Sequence, residues 1–222
     1  MMRLLHGRVH LTLHELTARP GPPLLLLHEL YSDRRGWGDV AAGWPGNVYA
    51  LDFCGHGDSQ AVKGGSYTPE LLVADADLAL QQLGEVSVVG AGIGAYVALL
   101  LAGARAGAVR RAVLLAGAGL AGGGATPDFT RRAPSFWPET KPDADRRFDP
   151  MVRLLEMDVR PVDYVQQFAV AARSLMLVED GSARPPWWEA TRRHAGRDLE
   201  ASELEQALAQ LVSGYAKRTG EK

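Results

Sequence analysis

Val88-Val89-Gly90-Ala91-Gly92-Ile93-Gly94-Ala95-Tyr96-Val97-Ala98 decides how this chain folds. The run Val86-Ser87-Val88-Val89 is rich in β-branched residues and reads as a strand. Three glycines at alternate positions follow as a tight turn, and a strongly apolar segment continues as a helix to about Gly103.

The same alternation extends outward in both directions. Upstream, Leu24-Leu25-Leu26-Leu27 and Val48-Tyr49-Ala50-Leu51-Asp52 are continuous apolar runs, as expected of strands buried on both faces. Thr68-Pro69-Glu70 opens a helix, with Thr68 as cap and Pro69 at the first helical position. Arg34 to Trp44 carries a weak helical pattern, and Met2 to Thr17 alternates loosely, which suits antiparallel strands at a sheet edge. Downstream, Ala112–Ala116 and Leu175–Val178 read as further buried strands. Helices are expected over Met151–Met157, Val162–Ala172, Trp187–Arg193 and Leu199–Tyr215. Strands alternating with helices predict an α/β, doubly wound, mostly parallel sheet with helices on both faces. At 222 residues the chain fits a single domain, 1–222. The proline- and glycine-rich character after Gly119 predicts a small lid insertion within it, over 119–172.

A dinucleotide-binding turn also lies between a strand and a helix, but its fingerprint is G-x-G-x-x-G with an acidic residue closing the next strand. Here the third glycine comes one residue early, and the next strand ends in Ala116-Gly117.

Three stretches in order resemble the α/β-hydrolase fold family, and the likeness covers nearly the whole chain. Leu24–Leu27 with His28-Glu29 resembles the strand and oxyanion turn. Asp52-Phe53-Cys54-Gly55-His56-Gly57-Asp58-Ser59 resembles the D-x-x-G-H-G-x-S loop. Val88 to Ala98 resembles the strand, nucleophile elbow and following helix. The resemblance implies a serine nucleophile at the centre of G-x-S-x-G, an acid after the late strand and a histidine after the last one. None of the three stands at its place. Gly92 occupies the nucleophile position and has no side chain. Gly181 falls where the carboxylate is expected in Val178-Glu179-Asp180-Gly181, although Glu179 or Asp180 remains an acid for a shifted loop. His194 is the sole imidazole near the C-terminus and reads as a residue of a helix's last turn. The sheet is therefore expected to be shortened at its C-terminal end.

Other groups remain as candidates. Glu29 stands where the family usually has glycine, beside the oxyanion donors. A carboxylate there opposes a developing oxyanion but suits a general base or a ligand acceptor, unless it turns to Arg34 or Arg35. Cys54 is a nucleophile if His28 or His56 lowers its pKa, and otherwise a buried thiol. Asp52, Ser59 and His56 suit loop bracing. By position, Leu30 and Ile93 carry the oxyanion N–H groups. With Gly92, Asp180 and Gly181 they outline a vestigial, ligand-binding pocket. Trp187-Trp188 and Phe136-Trp137 suit either core or a cavity wall.

Twenty-four basic residues against twenty-six acidic ones give a net charge of −2, and no Lys/Arg block dominates, so no nucleic-acid partner is expected. The single cysteine leaves neither a disulfide framework nor a multi-cysteine zinc site within one chain. No cofactor or metal is expected. With no signal-like or membrane-spanning apolar run, a cytoplasmic location and no membrane partner are expected. Three functions stay open: a non-catalytic binder of a small molecule or protein partner, a lyase or isomerase using Glu29, His28 or Cys54, and a hydrolase with a displaced nucleophile. A missing last strand would leave an edge for a second copy to cover, making a homo-oligomer possible.

Overall fold

A computed structural model describes residues 1–64, 66–120, 147–158, 160–178, 185–194, 200–201 and 204–219. Its strands are β1 (Met2–His6), β2 (Val9–Thr17), β3 (Leu24–Leu27), β4 (Val48–Asp52), β5 (Val86–Ala91), β6 (Val109–Leu115), β7 (Leu175–Val178) and β8 (Glu200–Ala201). They form one sheet in the order β1-β2-β4-β3-β5-β6-β7-β8. β1 with β2 and β2 with β4 are antiparallel, and the other neighbours are parallel. The expected doubly wound, mostly parallel sheet with an antiparallel edge is what the chain forms.

Alternation along each inner strand divides the core into two layers. Leu25 and Leu27 join one apolar cluster and Leu24 and Leu26 the other, and all four are fully buried. Each such leucine contributes about 1.5–3 kcal/mol of burial, so a strand of four leucines is stable only when both faces are covered. The larger layer lies under α1 (Pro69–Leu83), α2 (Ile93–Ala104), α3 (Val162–Ala171) and α4 (Pro186–His194). The smaller layer lies under the kinked 3-10 helix Arg34–Ala41, Trp44 and α5 (Leu204–Thr219).

α1 begins as its sequence dictates: the Thr68 hydroxyl accepts the Leu71 amide at 3.2 Å, and Pro69 occupies the first turn. α2 is apolar all round and buried from Ile93 to Ala102, because it is covered by its own sheet, by α1 and by α3. Among the described residues, no helix is long and apolar enough to cross a membrane.

The C-terminal end differs in detail from the expectation. The last strand is not lost but reduced to two residues, β8, which pairs in parallel with β7. The helix expected from Leu199 starts at Leu204, because residues 200–201 are taken by that strand. Among the described residues, the sheet thus ends on this two-residue strand. Most of the expected lid, residues 121–146, lies outside the described residues.

Candidate functional site

The crossover from β5 to α2 turns on one residue. Gly92 has φ 53° and ψ −116°, a conformation that costs a residue with a Cβ about 1–3 kcal/mol. The turn is packed as tightly as it is strained. A Cβ on Gly94 would overlap the carbonyl of Leu27, so the helix start lies directly against the end of β3.

The residue at this turn has no side chain, and another group fills the space above it. A Cβ at Gly92 would overlap the carbonyl oxygen of Ala118 and lie 2.8 Å from the carbonyl carbon of Gly117. The Leu30 N–H and the Ile93 N–H both donate to Ala118 O, at 3.0 and 2.9 Å. Two backbone donors converging on one oxygen is the geometry that stabilises a carbonyl or oxyanion. Here the oxygen belongs to the chain itself.

Glu29 fixes this arrangement from outside. Its carboxylate accepts the Ala118 N–H at 2.8 Å, and a Cβ on Gly117 would lie 2.6 Å from the same oxygen. Gly117 and Ala118 are exposed, whereas Gly92 beneath them is buried. Residues 117–119 therefore form a strap across the elbow, ending at the buried Leu120. The turn that carries Leu30 is itself held under strain: Tyr31 has φ 69°, a left-handed conformation rare for a bulky residue.

Glu29 therefore does not turn to a neighbouring arginine. Arg35 pairs with Asp33 at 2.9 Å, and Arg34 lies 3.8 Å from Asp58. It is not turned away: its Oε2 is engaged with the strap.

His28 and Cys54 are placed unfavourably for the acid–base or nucleophilic work considered for them. His28 is buried, donates from Nδ1 to Glu29 O at 2.7 Å and accepts the Phe53 amide at Nε2, 3.1 Å away. Burial brings its pKa down to about 4, so the ring is a neutral brace between the β3 and β4 loops. Cys54 is buried too, and desolvation followed by the Asp75 carboxylate pushes its thiol well above the usual range. A reactive thiol needs the opposite environment. His56 packs against His28 with ring centroids 4.9 Å apart and donates to Cys54 O at 3.2 Å. Burial first, and His28 second, hold its pKa at about 3, and no thiolate is stabilised by it.

Asp52 and Ser59 brace the loop as expected. Buried Asp52 accepts the amides of Arg34 and Asp58, each at 2.8 Å, and Ser59 Oγ donates to Asp52 O at 2.5 Å. His14, Asp52 and Asp58 bring three possible metal-ligating atoms within 4.8 Å of one another. These atoms are already committed: His14 Nε2 pairs with Asp52 at 3.0 Å, and Arg147 donates to Asp58 at 2.6 Å. Arg147 also donates to Asp33 at 2.9 Å, and the Asp149 amide donates to Gly55 O at 2.7 Å. The segment from Arg147 to Asp149 is thereby stitched to the loops after β3 and β4.

Of the expected pocket residues, Leu30, Gly92 and Ile93 come together, while Asp180 and Gly181 lie outside the described residues, as do Phe136 and Trp137. Trp187 and Trp188 are core, with Trp187 edge-on to Tyr96 at 5.2 Å. His194 is exposed at the end of α4, and no histidine follows it in the sequence, so the loop after β8 has no imidazole to offer. Ala118 was not anticipated as part of the site. The glycines on either side of it, Gly117 and Gly119, are the sequence trace of the strap, since a Cβ on either would meet Gly92 or Ile93.

Comparison with known proteins agrees with this arrangement of strands and turns. The chain is similar to the thioesterase domain from the curacin biosynthetic pathway, with 19% identity, TM-score 0.68, and 97% of this chain and 98% of that one covered. It is equally similar to a hypothetical protein from Pseudomonas aeruginosa, at 19% identity and TM-score 0.70 over 97% and 99% of the two chains. A structure from work on carboxylesterases of the thaumarchaeon Nitrososphaera gargenis aligns at 15% identity and TM-score 0.67 over 99% and 97%. At these identities the likeness is one of fold. No curated protein sequence matches. The model of the alpha/beta hydrolase family matches residues 4–217, nearly the full length, and the chain belongs to that family.

Proposed function

We propose that the chain is a non-catalytic member of the family, binding a small molecule or a segment of a protein partner at the vestigial oxyanion site. One observation carries the reading: the Ala118 carbonyl lies on the Leu30 and Ile93 amides above a glycine, where a nucleophile would need both the space and the donors. Nucleophile, base and orienting acid act as a unit in this chemistry, and without a base–nucleophile pair the unit is gone. Glu29, His28 and Cys54 are each engaged or buried in ways that oppose a relocated site.

Binding is supported by what has been kept. Two amides still converge on one oxygen, and Tyr31 still holds a strained turn that presents Leu30. Strain of this kind persists where surrounding structure enforces it, often at ligand sites.

The test is hydrolysis of short-chain aryl esters and thioesters by purified protein, beside Cys54→Ala. The buffer rate for both is expected. Turnover that disappears with Cys54→Ala would replace this reading with an enzyme using a relocated nucleophile.

A further inference from the structure

The residue parked on the donors describes what they accept. Ala118 offers two groups from a single α-carbon. Its carbonyl oxygen takes the Leu30 and Ile93 amides at 3.0 and 2.9 Å, and its N–H reaches Glu29 Oε2 at 2.8 Å. The contact set therefore reads an acceptor and a donor separated by one carbon. An ester or thioester carbonyl satisfies the two amides but forms no direct bond to the carboxylate, which water then solvates at the surface, so it makes one hydrogen bond fewer than an amide-flanked residue. The Ala118 side chain is exposed and makes no part of this recognition.

Among the described residues, the occupant is also the outermost layer. Gly117 and Ala118 are exposed, and Gly117 and Gly119 have no side chains with which to anchor the strap. Buried Leu120 anchors its far end, while over the site itself its hold is the three hydrogen bonds, and a molecule offering the same groups competes for each of them. No covalent step is involved.

We propose that the site takes, in place of Ala118, an amide-flanked amino-acid residue of another molecule, its carbonyl on Leu30 and Ile93 and its N–H on Glu29. This assignment names the ligand class for the non-catalytic reading above and rests on it. The shared chemistry is that of a capped amino acid and of one residue in an extended peptide. Because the strap is tethered, it competes at high effective concentration, and affinity for a free ligand is expected to be weak until the strap is loosened.

The experiment uses the full chain, isotopically labelled, with the amide signals of Leu30 and Ile93 followed during titration. The probes are N-acetyl-alanine N-methylamide, its analogue methylated on the alanine nitrogen, and acetyl-trialanine amide. Saturable shifts at both amides are expected with the first, and weaker binding with the N-methylated analogue. That difference should vanish in Glu29→Ala. Ala118→Pro, which deletes the donor that holds the strap, should tighten binding about tenfold, the loss of one hydrogen bond to a charged group.

Tighter binding of the trialanine probe assigns a peptide as the source, and equal binding assigns a small amide. Absence of shifts at Leu30 and Ile93 in both wild type and Ala118→Pro overturns the proposal. So does equal binding of the N-methylated analogue, which is measured on wild type and needs no variant to fold. Ester turnover in the separate assay would overturn the non-catalytic reading without touching these shifts, so the two failures are distinguishable.

Discussion

Glu29 Oε2 accepts the amide hydrogen of Ala118 at 2.8 Å, tying a carboxylate in the first loop of the parallel sheet to a backbone donor 89 residues away. The bond lies at the surface, so its contribution is modest. Glu29→Ala is expected to lower stability by about 1 kcal/mol, with Glu29→Gln losing less because an amide oxygen still accepts. Urea denaturation measures the first effect. Faster hydrogen exchange at Ala118 in Glu29→Ala would locate it, and unchanged exchange would mean that the strap is held by something else.

Placing a hydroxyl at the elbow is expected to yield no hydrolysis. In Gly92→Ser the new Cβ meets the Ala118 carbonyl and the residue must hold φ near 53°. Strain and overpacking together should cost about 2–4 kcal/mol. Ester hydrolysis should stay at the buffer rate, because no imidazole is placed to activate the serine. A gain in aryl-ester turnover would show that the strap yields and that a base is nearer than it is here.

Cys54 should behave as core. An alkylating reagent is expected to leave it unmodified in the native protein at pH 8 and to label it promptly after unfolding, since burial and Asp75 both oppose the thiolate. Cys54→Ala should cost about 1 kcal/mol through lost packing. Rapid native-state labelling, read by intact mass, would contradict the burial.

Acid is expected to destabilise the protein from about pH 6.5 downward. His28 and His56 have folded pKa values of about 4 and about 3, below the 6.5 of an unperturbed imidazole. Below pH 6.5 the unfolded chain gains protons that the folded chain refuses. The stability these two rings supply is therefore complete above pH 6.5 and lost as pH falls towards 4 and then 3. Each contributes a slope of about 1.4 kcal/mol per pH unit in that window. Asp33 adds to the loss lower down: burial disfavours its charge, but Arg35 and Arg147 outweigh that and hold its pKa at about 2. Its contribution goes as pH falls from about 3.8 through 2. Buried Asp75, whose pKa is raised, acts in the opposite sense. Urea midpoints across pH for wild type and His56→Gln isolate one ring. An identical slope in the two would remove His56 from this account.

Much of the fold was legible because burial on both faces leaves a plain trace. Four leucines in a row have few alternatives to a central strand, and Thr68-Pro69 marks a helix start by capping chemistry alone. The elbow was legible through glycine spacing. β8 was not, since two residues cannot display a period of two, and Glu200-Ala201 carries no apolar run. The site was half legible. Leu30, Gly92 and Ile93 follow from position along the chain, whereas the role of Ala118 rests on a carbonyl and an N–H that nearly every residue possesses. Glu29 was identifiable as unusual from its place in the turn, but its partner, being backbone, left no signature of its own.

The overlap between a side chain at position 92 and the Ala118 carbonyl also couples two distant stretches of the sequence. A chain carrying this strap that acquires a side chain at position 92 meets its own backbone first. The strap must move before such a change is tolerated, so substitutions at position 92 and in residues 117–119 are expected to be accepted together and not singly.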